Sequence, residues 1–321
     1  MTNHIKLLSL ILVVSGFLSG ADHPPIQINL YPWNVSLSTY HTEGKYSSSG
    51  DYISNAFYFS MDKRNKDRFT VSIEDITISD GLYQYKQTNL FGRDNFYINS
   101  GLSIGGILGR FNAESSVILD TTESVSYPGS GTLHRVVRSE PSGWVTGFQI
   151  MGDLPWFGYS VSYLNSKYVD VFDYVDQYEY NSYPDTTLSY SFYEQENFDQ
   201  FNLLLSKRWG EHIFRMGMIQ HQFPHDTYFS TSINWDWTVT ESITTSVYYS
   251  KGEGRYTVDP SLLLLDNNPD ILTDVLNLRT AWRMTTHWTL TGIVSNHRYD
   301  SNQTSELYYV NYWAIGLQLR F

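Results

Sequence analysis

From Leu307 to Phe321 apolar and polar side chains alternate almost without interruption. The odd positions are Leu307, Tyr309, Asn311, Trp313, Ile315, Leu317, Leu319 and Phe321; the even ones are Tyr308, Val310, Tyr312, Ala314, Gly316, Gln318 and Arg320. A period of two with one apolar face and one small or polar face is the pattern of a half-buried strand. This segment outruns the strands usual in soluble sheets and is long enough to cross a bilayer when tilted. The same pattern recurs upstream. Phe229, Ile233, Trp235, Trp237 and Val239 alternate with Tyr228, Ser230, Ser232, Asn234, Asp236 and Thr238, and Leu276, Leu278, Trp282 and Met284 oppose Asn277, Arg279, Ala281 and Arg283. Phe157, Tyr159, Val161 and Tyr163 face away from Gly158, Ser160 and Ser162, and Trp33, Val35 and Leu37 alternate cleanly. The face carrying Phe69, Val71 and Ile73 changes parity at Ile76 and Ile78, which predicts a bulge near Glu74 and Asp75.

The connections follow a second rule. Compact turns are expected near Thr286, Thr240, Gly210, Pro155, Ser100 and Arg64, and they alternate with loops near Asn302, Asp266, Pro224, Asp176, Gly129, Gly81 and Gly50, three of them long. Short turns on one side and longer loops on the other are the habit of transmembrane barrels. The expected fold is therefore all-β, a transmembrane antiparallel up-and-down β-barrel of about fourteen strands, in one domain. Twelve or sixteen strands stay open, because the stretch from Tyr168 to Tyr193 either hides a hairpin or extends two strands beyond the membrane. A soluble β-sandwich or propeller is the rival architecture. Trp33, Trp144, Trp156, Trp209, Trp235, Trp237, Trp282 and Trp288 mostly fall near the compact turns, where an aromatic girdle would sit, and this favours the barrel.

At the other end of the chain, residues 1–21 read as a secretion leader. Lys6 charges the start, an apolar run follows from Leu7 to Leu18, and Ser19-Gly20-Ala21 has the small-x-small form of a cleavage site. The run is shorter than the roughly 20 apolar residues that span a bilayer, so a cleaved leader followed by a barrel over 22–321 is the expected organisation.

The last strand, ending on Phe321 with Ile315, Leu317 and Leu319 on the same face, resembles the C-terminal signature of Gram-negative outer-membrane β-barrel proteins. That resemblance covers only this strand and the leader. It implies an outer-membrane location with both termini periplasmic, a terminal aromatic read by the barrel assembly machinery, and contact with outer-membrane lipids and lipopolysaccharide.

Composition narrows the chemistry. There is no cysteine, which excludes disulfides, thiolate metal sites and thiol nucleophiles. The formal charge of −12 leaves no basic excess for a nucleic-acid partner. Arg208, Arg215, Asp236, Arg279, Arg283 and Arg320 fall at lumenal parity and are the candidate pore-lining residues; they either set ion selectivity or brace the wall as salt bridges. Between Asp170 and Asp199 acids and tyrosines interleave, a surface suited to sugars or bridging cations, or simply a solvated loop. Leu262 to Leu265 are placed to fold inward as a partial plug. His221 and His225 would lie roughly 13 Å apart on a strand, too far to share a metal unless Phe223-Pro224 turns the chain. Asp266, Asp270 and Asp274 lack the frame of a calcium loop, and no nucleophile elbow or phosphate loop is present. No cofactor or enzymatic activity is expected. The resulting expectation is a porin-like channel for passive diffusion of small hydrophilic solutes. Its rivals are a non-conducting barrel whose acidic, Tyr-rich loops bind a ligand or lipopolysaccharide, and a barrel-embedded lipid-modifying enzyme.

Overall fold

A computed structural model describes residues 33–47, 50–63, 67–80, 83–99, 101–121, 131–180, 186–259, 264–265, 270–301 and 307–321. The expected leader and the start of the mature chain lie outside the described residues, as do the loop centres near Asn302, Asp266, Gly129 and Gly81.

The strands in chain order are β1 (Trp33–Tyr46), β2 (Asp51–Lys63), β3 (Asp67–Asp80), β4 (Tyr83–Asn99), β5 (Leu102–Thr121), β6 (Gly131–Ser139), β7 (Ser142–Asp153), β8 (Gly158–Tyr180) and β9 (Thr186–Trp209). They continue as β10 (His212–Gln222), β11 (Thr227–Thr240), β12 (Ile243–Gly254), β13 (Val258–Asp259), β14 (Leu264–Leu265), β15 (Ile271–Arg283), β16 (Trp288–Asp300) and β17 (Leu307–Arg320). Each long strand pairs antiparallel with its neighbours, and β1 pairs with β17 from Ser36↔Arg320 to Tyr46↔Val310, which closes the ring. β6 and β7 are one stave interrupted at Glu140-Pro141, since both pair with β5 on one side and β8 on the other. The result is a closed fourteen-stranded antiparallel barrel. β13 and β14 form a separate two-stranded ladder within the β12–β15 connection.

Outward faces carry the apolar residues that the alternation predicts: Phe229, Ile233, Trp235, Trp237 and Val239 on β11, and Leu307, Tyr309, Trp313 and Ile315 on β17, are all exposed. Leaving such residues outside is costly in water and favourable in lipid, which fits a sheet whose outer face meets hydrocarbon. The expected bulge at Glu74 and Asp75 is absent. β3 pairs with β2 and β4 without any register shift, and Ile76 and Ile78 share the inner face with Thr70, Ser72 and Glu74. The change of parity was apolar residues appearing inside the barrel. Likewise the loop expected around Asp176 is strand: β8 and β9 run for 23 and 24 residues, far more than the 9–11 a crossing needs. Above Asp199, β9 pairs with β8 alone, while β8 pairs on its other side with β6 and β6 with the end of β5, so these strands project together as an arm.

The core lies inside the barrel. Phe91, Ile107, Phe111, Val145, Leu164 and Val258 form one buried apolar cluster, with Tyr58 and Tyr168 packed against it. Large side chains fit here because β5 and β7 offer glycines opposite them. A Cβ on Gly143 would lie 2.3 Å from the Phe111 ring, and one on Gly147 would lie 2.2 Å from the Tyr163 carbonyl oxygen and 2.6 Å from the Leu164 side chain. Small-against-large complementarity of this kind sets the packing density of an interior.

The arm has its own stabilising contacts. On its inner face Phe172 stacks on Phe192 at 4.8 Å and Tyr174 on Tyr190 at 4.9 Å, ring centroid to centroid. Beside them Arg135 donates a fork of two hydrogen bonds to Asp176, Nε to Oδ1 at 2.7 Å and Nη2 to Oδ2 at 2.8 Å. Those hydrogen bonds, and the charge behind them, hold the Asp176 carboxyl below its ordinary range.

Two outcomes are expected. Gly147→Ala, whose new methyl meets backbone, lowers the fraction of protein that migrates as the folded, heat-modifiable form in SDS gels, at a cost of about 1–3 kcal/mol. Gly106→Ala, with nothing within 4 Å of the added atom, leaves it unchanged. For the arm, a depressed carboxyl pKa stabilises above the unfolded value of about 4 and ceases to do so as pH falls through the folded value. Amide protection across β6 and β8 therefore stays flat from neutral pH down to about 4 and declines below it, whereas Asp176→Asn shows the loss already at neutral pH, as read by hydrogen exchange.

Candidate functional site

β12 leaves the barrel wall at a register shift between Lys251 and Gly254. Gly252 there has φ +130°, and a Cβ on it would meet the Phe229 carbonyl oxygen at 2.3 Å, so only glycine fits. Tyr256 follows with φ 52°, a left-handed conformation that non-glycine residues adopt rarely and that turns the chain inward. Aromatic contacts hold this root. Tyr256 stacks on Tyr168 at 4.7 Å and lies 5.9 Å from Phe198, which stacks in turn on Phe223 at 4.7 Å. The Arg255 guanidinium sits 4.8 Å over the Tyr256 ring and 3.5 Å from Glu196.

The inward turn delivers Val258 to the centre of the lumenal cluster, where it is 2% exposed. Gln200, on the inner face of β9 and fully buried, fastens it there. Its Nε2 donates to the Val258 carbonyl at 2.6 Å and to Asn202 Oδ1 at 2.7 Å, while its Oε1 accepts from the Val258 N–H at 2.9 Å and from His221 Nε2 at 2.9 Å. All four hydrogen-bonding positions of the carboxamide are used. Because Gln200 Oε1 can only accept, His221 carries its proton on Nε2. At about 1 kcal/mol net per hydrogen bond and about 1.5–3 kcal/mol for burying a valine, the strap is held by a few kcal/mol.

The lumen has two kinds of wall at this height. On the β5–β9 side the cluster is apolar. On the β2–β4 side Ser54 and Asn89 donate to Glu74, Gln87 donates to Asn89 and Tyr85 donates to Gln87, a chain of buried polar groups. The sequence expectation of a polar, open pore is thus not what the midsection provides.

Of the sequence-derived lining residues, Arg215 and Asp236 form an ion pair on adjacent strands, and Ser246 also donates to Asp236. Arg279 stands directly across from Ser246 on the same lumenal row. Arg208 faces inward beside Ile213 and, like Arg279, has no carboxylate partner among the described residues. Arg208 and Arg215 share an open recess of about 560 Å³ at the short-turn rim with Asp153, Trp156, Ser206 and Ile213. Arg283 and Arg320 lie exposed at that rim, the first donating to the Glu241 carbonyl and the second to Gln318 at 3.2 Å. Ile315, Leu317, Leu319 and Phe321 lie along the outer face of the last strand, where the Phe321 N–H donates to the Val35 carbonyl at 2.9 Å. Among the described residues no cluster of three or more His, Asp or Glu is placed to hold a metal ion. Asp270 and Asp274 instead accept from Tyr308 and Tyr249, and the 223–226 turn directs His225 away from His221.

Gln200, His221 and Val258 were missed as a functional group from sequence. A signal was present: Leu164, Phe198 and Ile107 occupy lumenal parity, where a porin would carry polar side chains. The inward plug was expected at Leu262–Leu265; the described backbone pairs Leu264 and Leu265 with Asp259 and Val258, and Val258 occupies the cluster.

Neither a protein-family model nor a curated protein sequence matches the chain. Solved structures do. The CymD monoaromatic hydrocarbon channel superposes with a TM-score of 0.61 at 9% identity, covering 90% of this chain and 88% of that one. The Pseudomonas putida toluene transporter TodX gives 0.60 at 9% identity, covering 90% and 88%, and a Pseudomonas aeruginosa FadL homologue gives 0.57 at 10% identity, covering 89% of each. At these identities the likeness is one of fold, and the fold shared is that of an outer-membrane β-barrel.

Proposed function

We propose that the protein is an outer-membrane channel for small apolar compounds, with the short-turn rim and both termini in the periplasm and the arm outside the cell. One observation carries this reading: one wall of the lumen is an apolar cluster into which Val258 is sent from the β12–β15 connection, an arrangement unfavourable to water and ions that offers contacts to an apolar solute. The fold likeness to a monoaromatic hydrocarbon channel and a toluene transporter supports it. The stacked rings of the arm lie on the same inner face as Tyr168, Phe198 and Tyr256 at the mouth, with the Asp170–Glu194 row between them. The inward strap at residues 255–259 acts as the gate, and displacement of Val258 costs an amount that ligand contacts can supply.

In planar bilayers the wild-type chain is expected to show little steady conductance. Replacing residues 256–264 by a short Gly-Ser linker produces stable steps, and Gln200→Ala, which removes both tethers on Val258, produces intermittent opening. If the shortened chain, folded by heat-modifiable mobility, stays silent and takes up no toluene into liposomes, the barrel is a non-conducting surface protein.

Once open, the short-turn half of the lumen presents Arg208 and Arg279 beside the Arg215–Asp236 pair and Asp153, so the strap-shortened channel passes anions over cations. Arg208→Ala with Arg279→Ala moves its reversal potential in a salt gradient towards cations. An unmoved potential assigns the arginines to bracing the wall.

A further inference from the structure

The apolar cluster stands on a polar shelf. One lumenal row, read across register partners, is Asn95, Gly105, Gln149, Ser162 and Asn202; the next row towards the long-loop rim is Arg93, Ile107, Gly147, Leu164 and Gln200. The rows are about 7 Å apart. Most of the shelf is satisfied: Asn202 donates to Ser162 at 2.9 Å and Gln149 Nε2 donates to Ser160 at 2.8 Å. Asn95 is not. It is fully buried, yet neither its Oδ1 nor its Nδ2 has a hydrogen-bond partner among the described residues, and Gln149 Oε1 is likewise buried and unpartnered. Between the two carboxamides lies Gly105. A Cβ there would fall 2.0 Å from Asn95 Oδ1, so the Asn95 amide leans over the glycine towards the β7 side, where Gln149 stands.

Leaving a buried amide unpaired costs enough that native proteins rarely do so without a reason. From this geometry we infer that Asn95 and Gln149 read a hydroxyl group on the transported compound, making oxygenated apolar molecules such as alkylphenols or alkanols the preferred substrates. The inference rests on the channel reading above and deepens it.

The inventory of unpaired groups selects the chemistry. In the Asn95 and Gln149 carboxamides two acceptor oxygens and one donor nitrogen are unpaired, and exchanging oxygen and nitrogen in the Asn95 amide leaves that count unchanged. A hydroxyl donates to one oxygen and accepts from the nitrogen. A hydrocarbon satisfies neither, and a carboxylate brings only acceptors to face two acceptors. Arg93, on the same face of β4, is engaged by neighbouring groups. A ring displacing Val258 against Ile107 and Leu164 places a substituent one row lower, at the shelf.

The test is saturable binding to the detergent-solubilised full chain by titration calorimetry, with empty micelles as the reference and 4-ethylphenol, ethylbenzene and 4-ethylbenzoate as probes. The phenol is expected to bind about fivefold tighter than the hydrocarbon, the worth of about one net hydrogen bond. Asn95→Leu with Gln149→Leu abolishes the preference for the phenol over ethylbenzene. Gln149→Leu alone, which leaves the Asn95 packing over Gly105 intact, lowers the preference part way and serves where the double variant does not fold. Equal affinities in the wild type, a preference that survives the folded variants, or tighter binding of the benzoate overturns the inference while leaving the channel reading in place. Absence of saturable binding by all three overturns both.

Discussion

Inside hydrocarbon no water is present to satisfy a backbone N–H or C=O, and this constraint shapes everything else in the molecule. A sheet meets it only by having no edge. The seam between β1 and β17 supplies the missing ladder, from Ser36↔Arg320 to Tyr46↔Val310, and the Phe321 N–H extends it to the Val35 carbonyl. Once the ring is closed, the period-two geometry of every strand divides the side chains into a lipid face and a lumenal face. The outer face has one solvent and therefore one chemistry. The inner face is free to vary, and it is there that the protein's particular character lies.

That variation works through size as much as polarity. Fourteen strands enclose more space than one layer of side chains fills. The structure closes the space by placing Phe111 and Leu164 over glycines of β7 and by sending Val258 in from the β12–β15 connection. Pulling a strand end out of the wall requires backbone conformations that ordinary residues avoid, and Gly252 and Tyr256 supply them. The strain at Tyr256 is offset by stacking on Tyr168 and by Arg255 over its ring. On the proposed reading, a strap fastened mainly by one glutamine and one valine is held firmly enough to rest in the lumen and loosely enough to be released.

The lipid face was legible in the sequence because its chemistry repeats: strand count, closure and the position of most turns follow from alternation at Leu307–Phe321, Phe229–Val239 and Phe157–Tyr163. The lumen was not legible by the same rule. Ile76 and Ile78 looked like a broken register because alternation assumes a polar interior, whereas they are apolar residues inside. The Asp170–Asp199 stretch looked like a loop because charge and tyrosine suggest solvent, whereas β8 and β9 simply continue beyond the lipid. Ion pairing of Arg215 with Asp236 was one of two roles weighed for the lining residues, and a single sequence offers no way to learn which arginine has a partner. The contact between Gln200 and Val258 spans 58 positions and depends on an inward turn that no periodicity announces.

Gln200 and Asn95 show how one residue type serves two ends. Both are buried carboxamides on the lumenal face, and both sit beside the same apolar cluster. Gln200 spends its four bonding positions on the protein itself, and the outcome is a closed strap and a fixed His221 tautomer. Asn95 spends none within the described residues. A packed interior that satisfies one amide completely and leaves another bare differs from an interior that is merely polar. On the proposed reading, the satisfied amide belongs to the closed state and the bare one to a state with something bound. Closure and recognition then occupy adjacent rows of the same wall, so a compound that pushes Val258 aside to reach the apolar contacts arrives at the shelf in the same movement.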